Sequence, residues 1–390
     1  MRILYLADTY RPARTACANR TAVLAGALRD AGHDVSVLAS TDSLIGAPEG
    51  YEPPAGVTYF ETFPLVEKTL ANRLRNNFGG AHEAVKAADR LGDFDAVVCT
   101  TPPILLTSSA VKIARKKRAK LVVDVRDVWP DVAYEMGSFA PGSLYGRFFE
   151  RVARKAYAAA DLVVSVSPGK VEKLKGRVPN GRVVLVPNGI DEAFLESEED
   201  SALVERLRLG DGPICAYVGN IGLAQGLGTL LGIAKARPGV RFLLFGDGAD
   251  RAGLEERADT EGIGNVEFCG KVDGRGVYTV LRHAAVAYVP LVSSRLRDSI
   301  PTKMYEALAC GCPVLLAAEG DAAELLDECG LGAHAAPEDL AALLAAFDRL
   351  MERPFSDAEC AAASAWVVEN HSRQHFSTTF ASTIKEVLDE

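Results

Sequence analysis

Short apolar or β-branched runs recur along the chain with helix-length segments between them. Residues 2–7, 34–39, 57–62, 96–100, 120–125, 162–167 and 182–187 form one series; 214–219, 241–246, 265–270, 286–291 and 312–317 form another. Runs that are apolar on both faces predict buried parallel strands, and the intervening lengths suit crossover helices. Between the first two runs, residues 20–31 predict a helix with Ala22, Leu24 and Leu28 inward, Asn19 as its N-cap and Gly32 as its stop. A helix over 303–310 ends at Gly311, and a helical tail continues past Ala361 to Glu390, interrupted by the polar stretch ENHSRQ at 369–374.

Two such series in a chain of 390 residues predict an α/β protein of two doubly wound, Rossmann-like domains rather than one barrel. The break falls in VPNGIDEAFLESEED (186–200), where Pro-Asn-Gly makes a turn and acidic residues follow. The expected domains are 1–189 and 190–370, with a helix at 371–390 that has room to cross back onto the first domain. Charge changes sign at the same place. Residues 1–189 hold 26 Lys and Arg against 19 Asp and Glu, whereas 190–390 hold 17 against 33, within an overall net charge of -9. That split argues against a nucleic-acid binder with a uniformly basic surface. The first residues lack the apolar region and small-residue cleavage site of a signal peptide, and no run approaches a membrane span. The eight scattered cysteines read as reduced thiols of a cytoplasmic protein.

Candidate chemistry concentrates in the second series. A dinucleotide-binding first domain needs glycines in its first strand-to-helix turn, and DTYRPARTACANR (8–20) has none. In LVSSRLRDSIPTKMYEALACGCPVLLA (291–317), Pro301 opens a helix whose free N–H groups Ser299 or Thr302 can cap. Lys303 in the first turn opposes the helix dipole unless an anion lies between them, and that conflict marks an anion site. Glu306 lies one turn on, placed to hold the vicinal hydroxyls of a ribose; the competing reading is a solvated Lys–Glu pair. Gly219, Asn220, Gly222 and Gln225 form a second strand-end loop; FGDGAD (245–250) and FCGKVD (268–273) form a third and a fourth.

The runs VGNIGLAQGL, FGDG, CGKV and IPTKMYEALACGCPVL resemble the donor domain of retaining glycosyltransferases of the GT-B fold, glycosyltransferase family 4. TTPPILL, VVDVRDVWPD, SVSPGK and VPNGID in the first half are similar to bacterial O-antigen and capsule sugar transferases of the N-acetylfucosamine transferase branch. The resemblance implies two domains facing across a cleft, with a nucleotide-diphosphate sugar, of UDP-N-acetylhexosamine type, as co-substrate and no separate cofactor. It places the ribose on Glu306, the diphosphate on Lys303 with Arg295, Ser299 and Thr302, and the base beside Gly246, Asp247, Gly270, Lys271 and Val272. Asn220 and Gln225 occupy the places of a phosphate-binding Arg and Lys. Asp298 takes the first place of a paired acidic motif, as D-x7-E with Glu306, where relatives carry Glu.

On the acceptor side the resemblance implies Arg14, Asn19 and Arg126, binding a hydroxyl of a glycan, lipid-linked or small-molecule acceptor. Asp124 or Asp127 would orient or deprotonate that hydroxyl, or else cap the turn before Trp129-Pro130. The family's glycine-rich first loop is missing, and none of the six histidines stands near 120–126. The DxD at 93–95 reads as a turn, and no metal is expected. Two basic segments, ARKKRAK (114–120) and SLYGRFFERVARKAYAAA (143–160), are candidate contacts with anionic lipid, giving a cytoplasmic protein peripheral on the inner membrane face. The alternatives are a nucleotide-sugar epimerase or a catalytically silent sugar-nucleotide binder of the same fold.

Overall fold

In a computed structural model that describes residues 1–13, 15–63 and 70–390, the chain forms two compact units. One comprises Met1–Asn188 and His375–Glu390; the other is Gly189–Gln374. Each is a parallel sheet between layers of helices, the doubly wound architecture read from the run pattern.

The first unit has seven strands: β1 (Arg2–Leu6), β2 (Asp34–Ser40), β3 (Val57–Phe60), β4 (Ala96–Thr101), β5 (Lys120–Val125), β6 (Leu162–Ser165) and β7 (Val183–Leu185). Their order is β3-β2-β1-β4-β5-β6-β7, and the order reverses between β1 and β4. In open sheets of this kind the carboxyl ends at such a reversal frame a crevice for ligands. The helix Arg373–Asp389 returns to this sheet, where Phe380, Ala381, Ile384 and Val387 are buried against Tyr5, Leu24 and Val37.

The second unit has six strands: β8 (Ile214–Val218), β9 (Arg241–Phe245), β10 (Val266–Gly270), β11 (Val286–Pro290), β12 (Val314–Ala317) and β13 (Gly332–Ala335), in the order β10-β9-β8-β11-β12-β13. The reversal lies between β8 and β11. β13 was not among the predicted strands. Its sequence Gly-Ala-His-Ala has no β-branched residue, and only pairing with β12 makes it a strand.

Two local expectations are corrected. The first helix begins at Ala16, not Arg20, because Thr15 rather than Asn19 caps it: the Thr15 hydroxyl accepts from the Ala18 N–H at 3.1 Å. The helix Thr302–Ala309 takes Pro301 as its N-cap residue, whose ring offers no side-chain cap. Thr302 is already the first residue of this helix rather than its cap.

Candidate functional site

In the second unit, β8, β9 and β10 end side by side, and their following turns are stitched together by main-chain bonds. Gly219 N–H donates to Phe245 O at 2.9 Å, Ile221 N–H to Asp247 O at 3.0 Å, and Gly246 N–H to Gly270 O at 2.8 Å. Gly246 must be glycine: its φ is +141°, and a Cβ there would stand 1.8 Å from the Gly219 carbonyl oxygen. Gly222 opens the turn Leu223–Gln225, while Asp247 and Lys271 form an exposed ion pair at 3.7 Å beside Gly270 and the half-buried Val272.

Lys303 projects from the helix Thr302–Ala309 into this cluster. Its ammonium donates to Tyr217 Oη at 3.0 Å and to Gln225 Oε1 at 3.1 Å, and lies 4.2 Å from the centre of the Tyr217 ring. Tyr217 in turn donates to the Asn220 carbonyl at 2.6 Å. Both partners of Lys303 are neutral, so burial pushes its pKa down to about 7, with the Glu306 carboxylate opposing the shift. Burial raises the pKa of Glu306 against the pull of Arg373 and Lys303. Arg373 is anchored to Asp191 at 3.3 Å and to Gly189 O at 3.1 Å. The half-buried cation and carboxylate lie one helical turn apart, beside main-chain donors. Such a set has the donors and the acceptor to hold an anion and a diol together.

Lys303, Gln225, Tyr217 and the Asn220 main chain are thus joined by direct hydrogen bonds. Asp298 is buried in the segment before that helix, whereas Arg295 is exposed and Arg297 pairs with Glu319 at 3.2 Å. Tyr217 and Arg373 were missed. Tyr217 reads as an ordinary strand residue and Arg373 lies far along the chain, so only folding reveals either.

In the first unit, Asp124 is fully buried and held by Arg20, whose Nε and Nη2 donate to the carboxylate at 2.8–3.1 Å. Arg20 also reaches Asn188 Oδ1 at 3.1 Å. Asp124 is therefore engaged in an ion pair rather than free to meet a substrate. Asp127 is half-buried just beyond β5, and Asn19 is exposed, accepting from Arg11 at 3.4 Å. Arg126 lines a cavity of about 510 Å³ with Asp8, Thr9, Thr15, Trp129 and Phe139. Arg14 lies outside the described residues.

The DxD is a turn: Asp93 pairs with Lys117 at 3.3 Å and Asp95 accepts the Arg2 N–H at 2.7 Å. The run 114–120 is largely neutralised, with Lys116 on Asp89, Lys117 on Asp93 and Lys120 on Asp161. The helix Leu144–Ala159 differs. Leu144, Tyr145 and Phe148 are exposed beside Arg147, Arg151, Arg154 and Lys155, and no described residue pairs with these four cations. No described helix is long and apolar enough to cross a membrane.

Residues 15–189 match the model of the glycosyl transferase 4-like domain, and residues 212–353 that of glycosyl transferases group 1. The chain is 24% identical to the probable glycosyltransferase WbjE of Pseudomonas aeruginosa over 337 residues, covering 84% of each protein. Among solved structures it is similar to sucrose-phosphate synthase from Thermosynechococcus elongatus, with a TM-score of 0.80, 19% identity and coverage of 100% and 99% of the two chains. It is likewise similar to Anabaena Alr3699/HepE in complex with UDP, with a TM-score of 0.75, 17% identity and coverage of 99% and 100%.

Proposed function

The chain is a glycosyltransferase of the GT-B fold, and from that premise we propose that it moves a sugar, with retention, from a UDP-N-acetylhexosamine-type donor to an acceptor hydroxyl. The observation that carries the donor assignment is Lys303, a half-buried cation whose hydrogen-bond partners among the described residues are neutral, one turn from the half-buried Glu306. A diphosphate supplies the charge Lys303 lacks, and ribose hydroxyls donate to Glu306. Asp298 faces the sugar, and the Gly246–Asp247 and Gly270–Val272 turns border the base.

In the transfer, the bond from the anomeric carbon to the phosphate oxygen breaks, and its electron pair leaves on the diphosphate. The acceptor oxygen bonds to the same face of an oxocarbenium-like centre, and its proton passes to the departing diphosphate. Lys303 and the main-chain donors stabilise the charge growing on the leaving group. No step requires a metal ion.

Titration with UDP tests the donor site. Glu306→Gln is expected to weaken UDP binding roughly tenfold, about 1.4 kcal/mol, by replacing a charged acceptor with a neutral one. Wild-type affinity in that variant removes Glu306 from the ribose site. Incubation with UDP-GlcNAc alone separates the rival activities: slow hydrolysis marks a transferase, isomerisation an epimerase, and no change a silent binder.

We also propose that the helix Leu144–Ala159 rests on anionic lipid at the cytoplasmic membrane face. Each basic residue near such a surface contributes about 1 kcal/mol at physiological salt. The protein is expected to sediment with phosphatidylglycerol vesicles at low salt. Replacing Arg147, Arg151, Arg154 and Lys155 together with Gln abolishes that binding. Failure of the wild-type protein to bind at low ionic strength assigns it a soluble acceptor.

A further inference from the structure

The cavity of about 510 Å³ in the first unit has two chemically distinct walls. Trp129, Phe139 and Phe149 form one, with ring centres 5.2–6.3 Å apart. Asp8, Thr9, Thr15 and Arg126 contribute polar groups at the carboxyl ends of β1 and β5. That volume lies within the range of small-ligand pockets, and the pairing of an aromatic face with a few convergent polar groups suits a sugar ring.

We propose that Asp8 is the carboxylate that accepts a hydrogen bond from a ring hydroxyl of a glycoside acceptor seated in this cavity, and so positions that acceptor. The inference rests on the glycosyltransferase reading for the word acceptor, but the site itself is argued from the first unit alone. Three carboxylates near the sheet reversal are candidates. Asp124 is locked by Arg20, and Asp127 does not line the cavity; Asp8 does. The charged groups around Asp8 are already engaged elsewhere. Asp42 accepts from Thr62 at 3.0 Å and from Asn76 at 3.3 Å. Arg126 donates to Thr100 Oγ1 at 3.1 Å and to Pro102 O at 2.7 Å.

No described residue makes a hydrogen bond or ion pair with the Asp8 side chain. A carboxylate placed in a part-apolar cavity without a donor has its acceptor capacity unfilled, and a substrate hydroxyl is the donor that fits. Burial and the neighbouring Asp42 push its pKa up to about 6, with Arg126 opposing. Asp8 is therefore mainly ionised, and its strongest as an acceptor, above that pH.

The protein has two tryptophans, so in a Trp366→Phe background Trp129 reports on the cavity. Octyl β-D-glucoside, galactoside and mannoside, each below its micelle threshold, serve as probes. At least one is expected to shift Trp129 emission saturably, with affinity falling about tenfold from pH 7 to pH 5 as Asp8 protonates. Asp8→Asn should weaken binding at least tenfold at pH 7.5 and flatten that pH profile. The same variant should melt higher than wild type at pH 7.5 and equally at pH 4, because it removes an unpaired charge that burial disfavours. A lower melting point at pH 7.5 would mean that Asp8 supports the fold instead. No saturable shift with any probe, or unchanged affinity and pH profile in Asp8→Asn, overturns the proposal. UDP titration of each protein separates the two readings. A wild-type protein that binds UDP but none of the glycosides sinks this proposal alone, and one that binds glycoside but not UDP sinks the donor reading alone.

Discussion

Replacing Lys303 with Met is expected to lower kcat/KM for the nucleotide sugar by about one to two decades, the loss of ~1.5–3 kcal/mol per charge-assisted bond to the diphosphate. The same change should leave the protein as stable or more so at neutral pH. Lys303 is held by the Tyr217 hydroxyl and the Gln225 amide oxygen, neither of which carries charge, and burial lowers its pKa to about 7. The unfolded chain keeps its proton up to the ordinary lysine range, near pH 10.4. Between those values the unfolded state binds more protons, so stability rises with pH from about 7 upward and the burial cost is largest below 7. Met keeps the apolar stem against Tyr217 and removes that cost.

Nucleotide binding should reverse the shift. At pH 8 the free protein holds Lys303 mostly neutral, and a bound diphosphate restores the charge. Calorimetry of UDP binding in two buffers of different ionisation enthalpy should therefore show uptake of nearly one proton, absent in Lys303→Met. Proton uptake of zero in the wild type, or unchanged kinetics in the variant, removes Lys303 from the diphosphate site.

Replacing Asp124 with Ala is expected to destabilise the first unit by about 3–5 kcal/mol, the usual cost of leaving one partner of a buried ion pair alone. Arg20 is 7% exposed and Asp124 is inaccessible, and the guanidinium meets both carboxylate oxygens before reaching Asn188 and Pro187. Without Asp124 the guanidinium stays buried with neutral partners only. The double change Arg20→Met with Asp124→Leu should recover most of the loss, since it removes both desolvation costs together. Urea unfolding followed by Trp129 emission in the Trp366→Phe background reads the first unit separately. A single variant within about 1 kcal/mol of wild type would show that solvent reaches the pair.

These two sites also divide what was legible in the chain. Lys303 and Glu306 stand in one helix and are separated by one turn, so their spacing and the dipole conflict were readable from adjacent residues. Arg20 and Asp124 are 104 residues apart. The acidic residue of β5 was visible, but its partner was not, so an ion pair holding the fold was read as a candidate for acceptor chemistry. Asp8 is the converse case. It sits in a turn noted for its missing glycines, and nothing local distinguishes a carboxylate with partners from one without. The basic run at 114–120 was misleading for the same reason, because Asp89, Asp93 and Asp161 neutralise it from other elements.

By itself the sequence determined the α/β class, the two doubly wound sheets, all but one of the strands and the one-turn spacing of Lys303 and Glu306. Those features are periodic or local, set by backbone preference, apolar alternation and residues within one helical turn. The tertiary structure alone decided that β13 pairs, that Tyr217 and Gln225 hold Lys303, that Arg20 engages Asp124, and that the Asp8 side chain is left without a partner among the described residues. Each depends on which side chain meets a buried charge, and the desolvation that makes such a meeting matter arises only once the chain has folded.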